Sequence, residues 1–401
     1  MAKREEPPMQ SKALLLAAAI CAATPALAQD EAAPASCRPT QPFAQMDYRS
    51  VEPLPDGRVT FRLCAPDADN VRVVSNDLDP VIPAGFGGSE RGLVMTRDAS
   101  GLWSATTSQP IAADTYRYNF EIGGMKVPDP MAFTFSRERT GVDSTLEITG
   151  EDGAFQSYDP EVPHGMVSRI EYWSNTIGDR REAYVYTPPG YMNGSESYPV
   201  LYLVHGAGDS ADSWTSVGHA NYILDNLIDV GSAVPMIVVM PFGHTPPRAG
   251  VDMLANTDFG GDLIDDLIPY IDSHFRTQAD ADHRAMAGLS MGGAHTLAFG
   301  VPRPDLFGEV GVFSMGLGLR GPDDVANFEA ANAAGLDARA ARDEPVYYAM
   351  GTADFLYGSV APTRAMLERH GIEVHYNESG GGHTWINWRR YLADFLPRLF
   401  R

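Results

Sequence analysis

The sequence predicts an α/β protein organised on a mostly parallel sheet, with a small all-β sandwich in front of it. Two patterns carry that prediction. Between about residues 46 and 150, short runs alternate apolar with polar residues, turn signals separate them, and no apolar run reaches helix length. From residue 163 onward, short continuous apolar runs recur with helical patterns between them, as strands buried on both faces require. A chain of 401 residues can hold two or three such cores.

The first residues read as a processing signal. Ala13–Ala23 is an apolar run of 11 residues behind Lys12, and Ala26-Leu27-Ala28 precedes Gln29. A positive flank, a short apolar stretch and small residues before the cut define a secretory signal peptide over 1–28, with Met9 as the cleaner start because Glu5 and Glu6 precede it. The run falls short of the roughly 20 residues a bilayer needs, and Ile20 precedes Cys21 where a lipid-anchor site wants a small residue. The expectation is a secreted or periplasmic protein with no stable membrane anchor. Residues 29–45, polar and rich in Ala and Pro, read as a flexible tether. Of the 3 cysteines, Cys37 and Cys64 then remain. In an oxidising compartment they can bond; the alternative is two unrelated thiols, with Cys64 a small apolar residue on a strand. A formal charge of −22 argues against nucleic acid or an anionic membrane surface as partner.

In the all-β part, Val59-Thr60-Phe61-Arg62-Leu63 alternates, Pro66–Asp69 turns the chain, and Val71–Val74 follows. Leu102–Ala105 and Tyr116–Ile122 are further strands, and Gly123-Gly124 is a hairpin turn. The stretches FRLCAPDADNVRVV, GLWSATT and TYRYNFEIGGMKVPDP resemble the early-set, immunoglobulin-like sandwiches of the carbohydrate-binding module family 48 group. That resemblance covers about residues 45–135 and implies glycan contact through exposed aromatics. The strand pattern itself reads Trp103, Tyr116 and Tyr118 as core, in which case the sandwich braces the domain behind it.

A linker rich in Asp, Glu, Gly and Pro (151–162) leads into the α/β domain, 163–401. Its strands are Val200–Val204, Met236–Met240, Ala285–Ala287, Val310–Phe313 and Val346–Met350, and Leu263–Ile271 is one of the helical patterns between them. In such sheets ligands sit at the carboxyl ends of the strands.

Those ends carry the chemistry. After Ala285–Ala287 comes Gly288-Leu289-Ser290-Met291-Gly292, G-x-S-x-G between a strand and a helix, where the glycines leave room for a tight turn that exposes the serine hydroxyl. Alone, the pattern arises by chance in roughly one chain in four or five. Ser314 also follows a strand, but Val312 stands at its −2 position and its branched Cβ should block the turn, so Ser314 reads as structural. Asp354 follows Val346–Met350, and His383 lies in the glycine-rich stretch after the last strand. A carboxylate can fix the imidazole's tautomer, and the imidazole can act as general base. The order Ser290, Asp354, His383 is that of nucleophile, acid and base in an α/β-hydrolase. Ala207, in His205-Gly206-Ala207-Gly208, and Met291 are the expected oxyanion-hole amides. His375 reads as a strand histidine and His295 as a packed helix residue. Glu378 is the reserve acid. A metal site from His205, His219 and His244 has no supporting spacing, so neither a metal nor a cofactor is expected.

Residues 163–401 resemble the esterase D-like branch of α/β-hydrolases, particularly carbohydrate esterase family one, through VPHGMV, REAYVYTPPGY, YPVLYLVHG, DLIDDLIPYID, AGLSMGG, GTAD and GGGHTW. The resemblance implies a serine esterase acting on acyl or hydroxycinnamoyl esters of plant polysaccharide, in the manner of feruloyl and acetyl-xylan esterases. Siderophore-trilactone esterases share the layout, and small-ester hydrolysis or acyl transfer are rivals in the same chemistry. A non-catalytic glycan-binding protein is the rival of another class. Trp214 and Trp385 are candidates to stack on acyl or sugar groups, with core packing as the alternative.

Overall fold

Alternation puts Val59, Phe61 and Leu63 on one face of a strand. In the computed structural model, which describes residues 36–39, 41, 44–85, 88, 90–249, 251, 256–319 and 321–401, those three side chains are 0%, 0% and 4% exposed. The expected signal peptide (1–28), the start at Met9 and most of the tether lie outside the described residues. The N-terminal region is all-β. Its strands are β1 (Val51–Pro53), β2 (Val59–Cys64), β3 (Val71–Val74), β4 (Leu93–Val94), β5 (Thr96–Arg97), β6 (Leu102–Thr106), β7 (Asp114–Ile122), β8 (Met125–Val127), β9 (Phe135–Glu138) and β10 (Gly141–Ile148). They form one sheet in the order β1-β2-β6-β5 and another in the order β4-β3-β7-β10-β9, with β8 beside β7. Gly123 and Gly124, both at positive φ, close the β7–β8 hairpin as its two-residue turn demands. Trp103, Tyr116 and Tyr118 are buried in the core between the sheets, so these three aromatics offer no face to a glycan. Cys37 and Cys64 are disulfide-bonded. Closing that loop contributes about 3–4 kcal/mol in the chain-entropy picture.

The second region is built on eight strands: β11 (Met166–Ser174), β12 (Asp179–Thr187), β13 (Val200–Val204), β14 (Ile237–Pro241), β15 (Arg284–Leu289), β16 (Glu309–Phe313), β17 (Val346–Gly351) and β18 (Val374–Ser379). Their order is β11-β12-β14-β13-β15-β16-β17-β18. The β11–β12 and β12–β14 pairs are antiparallel and every other pair is parallel. The five apolar runs are five neighbouring strands, and period-2 alternation divides each between two cores. Val200, Tyr202 and Val204 face one side, with Leu263, Leu267 and Ile271. Leu201 and Leu203 face the other, with Trp214, Ile223, Leu392 and Phe395. Among the described residues no helix is long and apolar enough to cross a membrane.

β11 and the helix Pro322–Ala340 have no apolar run to announce them. β11 is an edge strand whose side chains are mostly exposed. The helix Pro322–Ala340 is Ala-rich and largely at the surface, burying Leu336 and Arg339. The segment read as a linker also differs from a free tether. It contains the 3-10 helix Glu151–Gln156, and buried Gln156 donates from Nε2 to Asp114 Oδ1 at 2.6 Å.

Glu309, at the start of β16, supplies a pH-dependent term. Burial, with a smaller contribution from Glu344, pushes its carboxyl up to about 7, although the Phe400 amide donates to it at 2.9 Å. A folded value above the ordinary one means stability that is present at low pH and lost as pH rises from about 4.5 through 7. Glu309→Gln is therefore expected to raise Tm relative to wild type at pH 8 and to change it little at pH 5. Equal shifts at both pH values would show that the carboxyl is not held neutral.

Candidate active site

β15 runs straight into Ser290, which sits at φ 52°, ψ −115° before the helix Met291–His295. A non-glycine residue there is strained, and strain of this kind is kept where surrounding structure enforces it. The enforcement comes from close packing. A Cβ on Gly288 would lie 2.5 Å from the carbonyl carbon of Gly292, and one on Gly292 would run into the Val204 carbonyl. Ser290 donates its amide to Phe313 O at 2.9 Å and accepts from Ala294 N at 2.9 Å. The residue is partly exposed, whereas Met291 behind it is buried.

Ser314 corrects one expectation. Its φ is 50°, so Val312 does not block the turn. What makes Ser314 structural is burial: it is 0% exposed, and its Oγ accepts from Trp388 Nε1 at 2.9 Å.

Asp354 follows β17 and is buried; one carboxylate oxygen accepts from Leu356 N at 2.9 Å. His383 Nδ1 lies 2.9 Å from Asp354 Oδ2 and 3.1 Å from Oδ1. With the carboxylate as acceptor, Nδ1 carries the proton and the Nε2 lone pair is left for another donor. The loop that carries His383 is pinned from the helix behind it, since Asn387 Nδ2 donates to the carbonyls of Gly380 (3.1 Å) and Gly382 (2.9 Å). The Trp388 ring meets the imidazole edge to face at 5.0 Å. Asn387 and Trp388 were not singled out from sequence; their place one turn past His383, at the start of a helix, was the only signal. The Ser290 hydroxyl makes no hydrogen bond to the imidazole among the described residues, and such bonds commonly tighten only with substrate bound.

On the anion side, Val204 on β13 is in register with Gly288 on β15, so Ala207 and Met291 each lie three residues past one registered pair. His205 anchors that loop. Its Nδ1 approaches Gly206 O at 2.8 Å and its Nε2 accepts from Gly243 N at 2.9 Å. Burial lowers its pKa to about 4, so the ring is neutral at pH 7.

The remaining candidates fall elsewhere. Trp214 and Trp385, read as stacking platforms, are both 0% exposed and pack edge to face on each other at 5.1 Å, which corrects that expectation. Glu378 accepts from the hydroxyls of Tyr357 and Tyr376. His375 stacks on Tyr347, and His295 on Phe259. His205 and His244 are neighbours, but His219 is bonded to Gln156 O, and among the described residues no three metal-ligating side chains cluster.

Comparison with known proteins defines the class. The chain belongs to the Esterase family, matched over residues 174–399. Among individual proteins, it is 33% identical over 353 residues to an endo-1,4-beta-xylanase/feruloyl esterase of Xylanibacter ruminicola, covering 86% of this chain and 45% of that one. The chain thus spans less than half the length of that relative. A solved ferulic acid esterase is 25% identical with a TM-score of 0.50, over 59% of this chain and 99% of its own. The enterochelin esterase of Shigella flexneri is 18% identical with a TM-score of 0.61, over 88% of this chain and 95% of its own, a likeness of fold.

Proposed function

We propose that the chain is a secreted serine esterase of the α/β-hydrolase fold, working through Ser290, His383 and Asp354. His383 Nε2 takes the Ser290 proton as Oγ attacks the ester carbonyl. The developing oxyanion rests on the amides of Ala207 and Met291. His383 returns the proton to the departing alcohol, leaving an acyl-serine. Water activated by the same imidazole then releases the acid and restores the serine. The domain limits are read as 46–150 for the sandwich and 163–401 for the esterase domain. The observation that carries the reading is the Asp354–His383 pair, held on loops after β17 and β18 of the sheet whose strand β15 ends in the strained Ser290 turn.

The substrate reading is an acyl or hydroxycinnamoyl ester of plant polysaccharide. It is supported by the name of the Xylanibacter relative and by Phe355. That side chain is 77% exposed, and its ring centre lies 4.6 Å from the His383 ring, an open aromatic face beside the base. The second reading, a siderophore-trilactone esterase, is favoured by the 88% coverage in the enterochelin esterase superposition. Rates on methyl ferulate, acetylated xylan and a catecholate trilactone separate them. The highest kcat/KM is expected on methyl ferulate, and a higher value on the trilactone would transfer the assignment. Glycan contact by the N-terminal region would fall to the exposed Phe133 and Phe135.

A further inference from the structure

We propose that the N-terminal all-β region completes the catalytic site, with Arg117 as a positioning residue that holds the Ala207 loop through Asp209. The inference rests on the reading of Ala207 as an oxyanion donor. Arg117 projects from β7, and its side chain is 14% exposed. Its Nη1 donates to Asp209 Oδ1 at 2.8 Å, while Nε and Nη2 donate to the two oxygens of Asp77 at 3.1 and 3.2 Å. The guanidinium also lies 5.9 Å from the Trp385 ring centre. Burial opposes its charge, but Asp77 and Asp209 raise its pKa above the ordinary arginine value, so it remains a cation.

Asp209 belongs to the loop after β13. Its second oxygen accepts from Gly206 N at 3.2 Å, and its backbone carbonyl faces His244 Nε2 at 3.1 Å. Gly208, two residues after Gly206, is gripped from the same side. Arg139 N, just past β9, donates to Gly208 O at 3.0 Å, and Glu138 bridges Asp209 in antiparallel fashion. Arg137 N donates to Asp212 Oδ2 at 3.1 Å. Both neighbours of Ala207 are therefore fixed, Gly206 through the Arg117–Asp209 pair and Gly208 through β9. Without Arg117, Asp209 becomes a buried carboxylate with no cationic partner; it must take up a proton, which weakens its hold on Gly206 N, or turn toward water, which releases it. A salt bridge that merely joined two regions would lower stability and leave the chemistry alone.

The test is kinetic and uses the full chain with 4-nitrophenyl acetate. Arg117→Ala is expected to lower kcat about 10- to 100-fold with KM within about twofold, since a lost oxyanion donor costs on the order of 100-fold or more and a displaced one somewhat less. Affinity for phenylboronic acid, whose tetrahedral serine adduct needs the same amides, should fall by the same factor as kcat/KM. Arg117→Lys should recover part of both. Should Arg117→Ala fail to fold, the triple variant Arg117→Met/Asp77→Asn/Asp209→Asn, which neutralises both carboxylates that Arg117 pairs with, gives the answer through the same two measurements. Unchanged kcat, or reduced kcat with unchanged boronate affinity, in a folded variant overturns the inference. Ser290→Ala run in parallel separates the two readings: if it alone is inactive, only the role of Arg117 is lost, and if it is active, the serine mechanism itself is lost.

Discussion

Replacing Ser290 with alanine is expected to lower kcat on 4-nitrophenyl acetate by on the order of 10⁶-fold, about 8 kcal/mol of transition-state stabilisation. The other serine on a left-handed turn, Ser314, is fully buried with its oxygen engaged by Trp388. The substitution should leave the fold intact. It keeps Cβ and the backbone hydrogen bonds to Phe313 and Ala294, and the residue is partly exposed. Stability within about 0.5 kcal/mol of wild type is expected, as for substitutions that remove no buried contact. The measurement is turnover alongside thermal unfolding. Activity above a hundredth of wild type in a contaminant-free preparation would rule out the acyl-serine route.

Asp354→Asn should reduce kcat about 10⁴-fold with little change in fold, and the reason lies in its two hydrogen bonds. One carboxylate oxygen accepts the Leu356 amide and the carboxylate faces His383 Nδ1. In the variant the carboxamide oxygen must stay with Leu356 N, because an NH₂ there would oppose another donor. The NH₂ then faces Nδ1 and forces it to accept. The imidazole proton moves to Nε2, the atom that must take the serine proton, and the base is blocked. A pH–rate profile and kcat for Asp354→Asn and Glu378→Gln measure this. Near-wild-type turnover in Asp354→Asn with loss in Glu378→Gln would transfer the acid role, against the present engagement of Glu378 by Tyr357 and Tyr376.

The elements easiest to read were those with both faces buried. Val200–Val204 and Val346–Met350 are continuous apolar runs because a central parallel strand meets a core on each side. The half-exposed strand β11 and the surface helix Pro322–Ala340 carry no such mark, since one side of each answers to solvent. The Ser290 turn was legible because it is flanked by glycines, Gly288 required by its contact with Gly292 four residues on and Gly292 by the Val204 carbonyl on the neighbouring strand. Ser314 shows the limit of that rule, for a neighbouring strand can hold the same φ without the flanking glycine. Trp214 and Trp385 stayed open between stacking and core because an indole beside the chemistry looks alike in sequence whether it faces a cleft or another indole.

By itself, the order of residues determined the alternation of strand and helix, the glycine-enforced turn at Ser290, and a carboxylate and an imidazole in the loops that follow later strands. These are local demands of backbone geometry and burial period. Only the tertiary structure decided that His383 meets Asp354, that two tryptophans are core, and that Arg117 reaches Asp209 from a different sheet. Each of those joins residues far apart in the chain, and such contacts follow from how whole layers pack rather than from any short stretch.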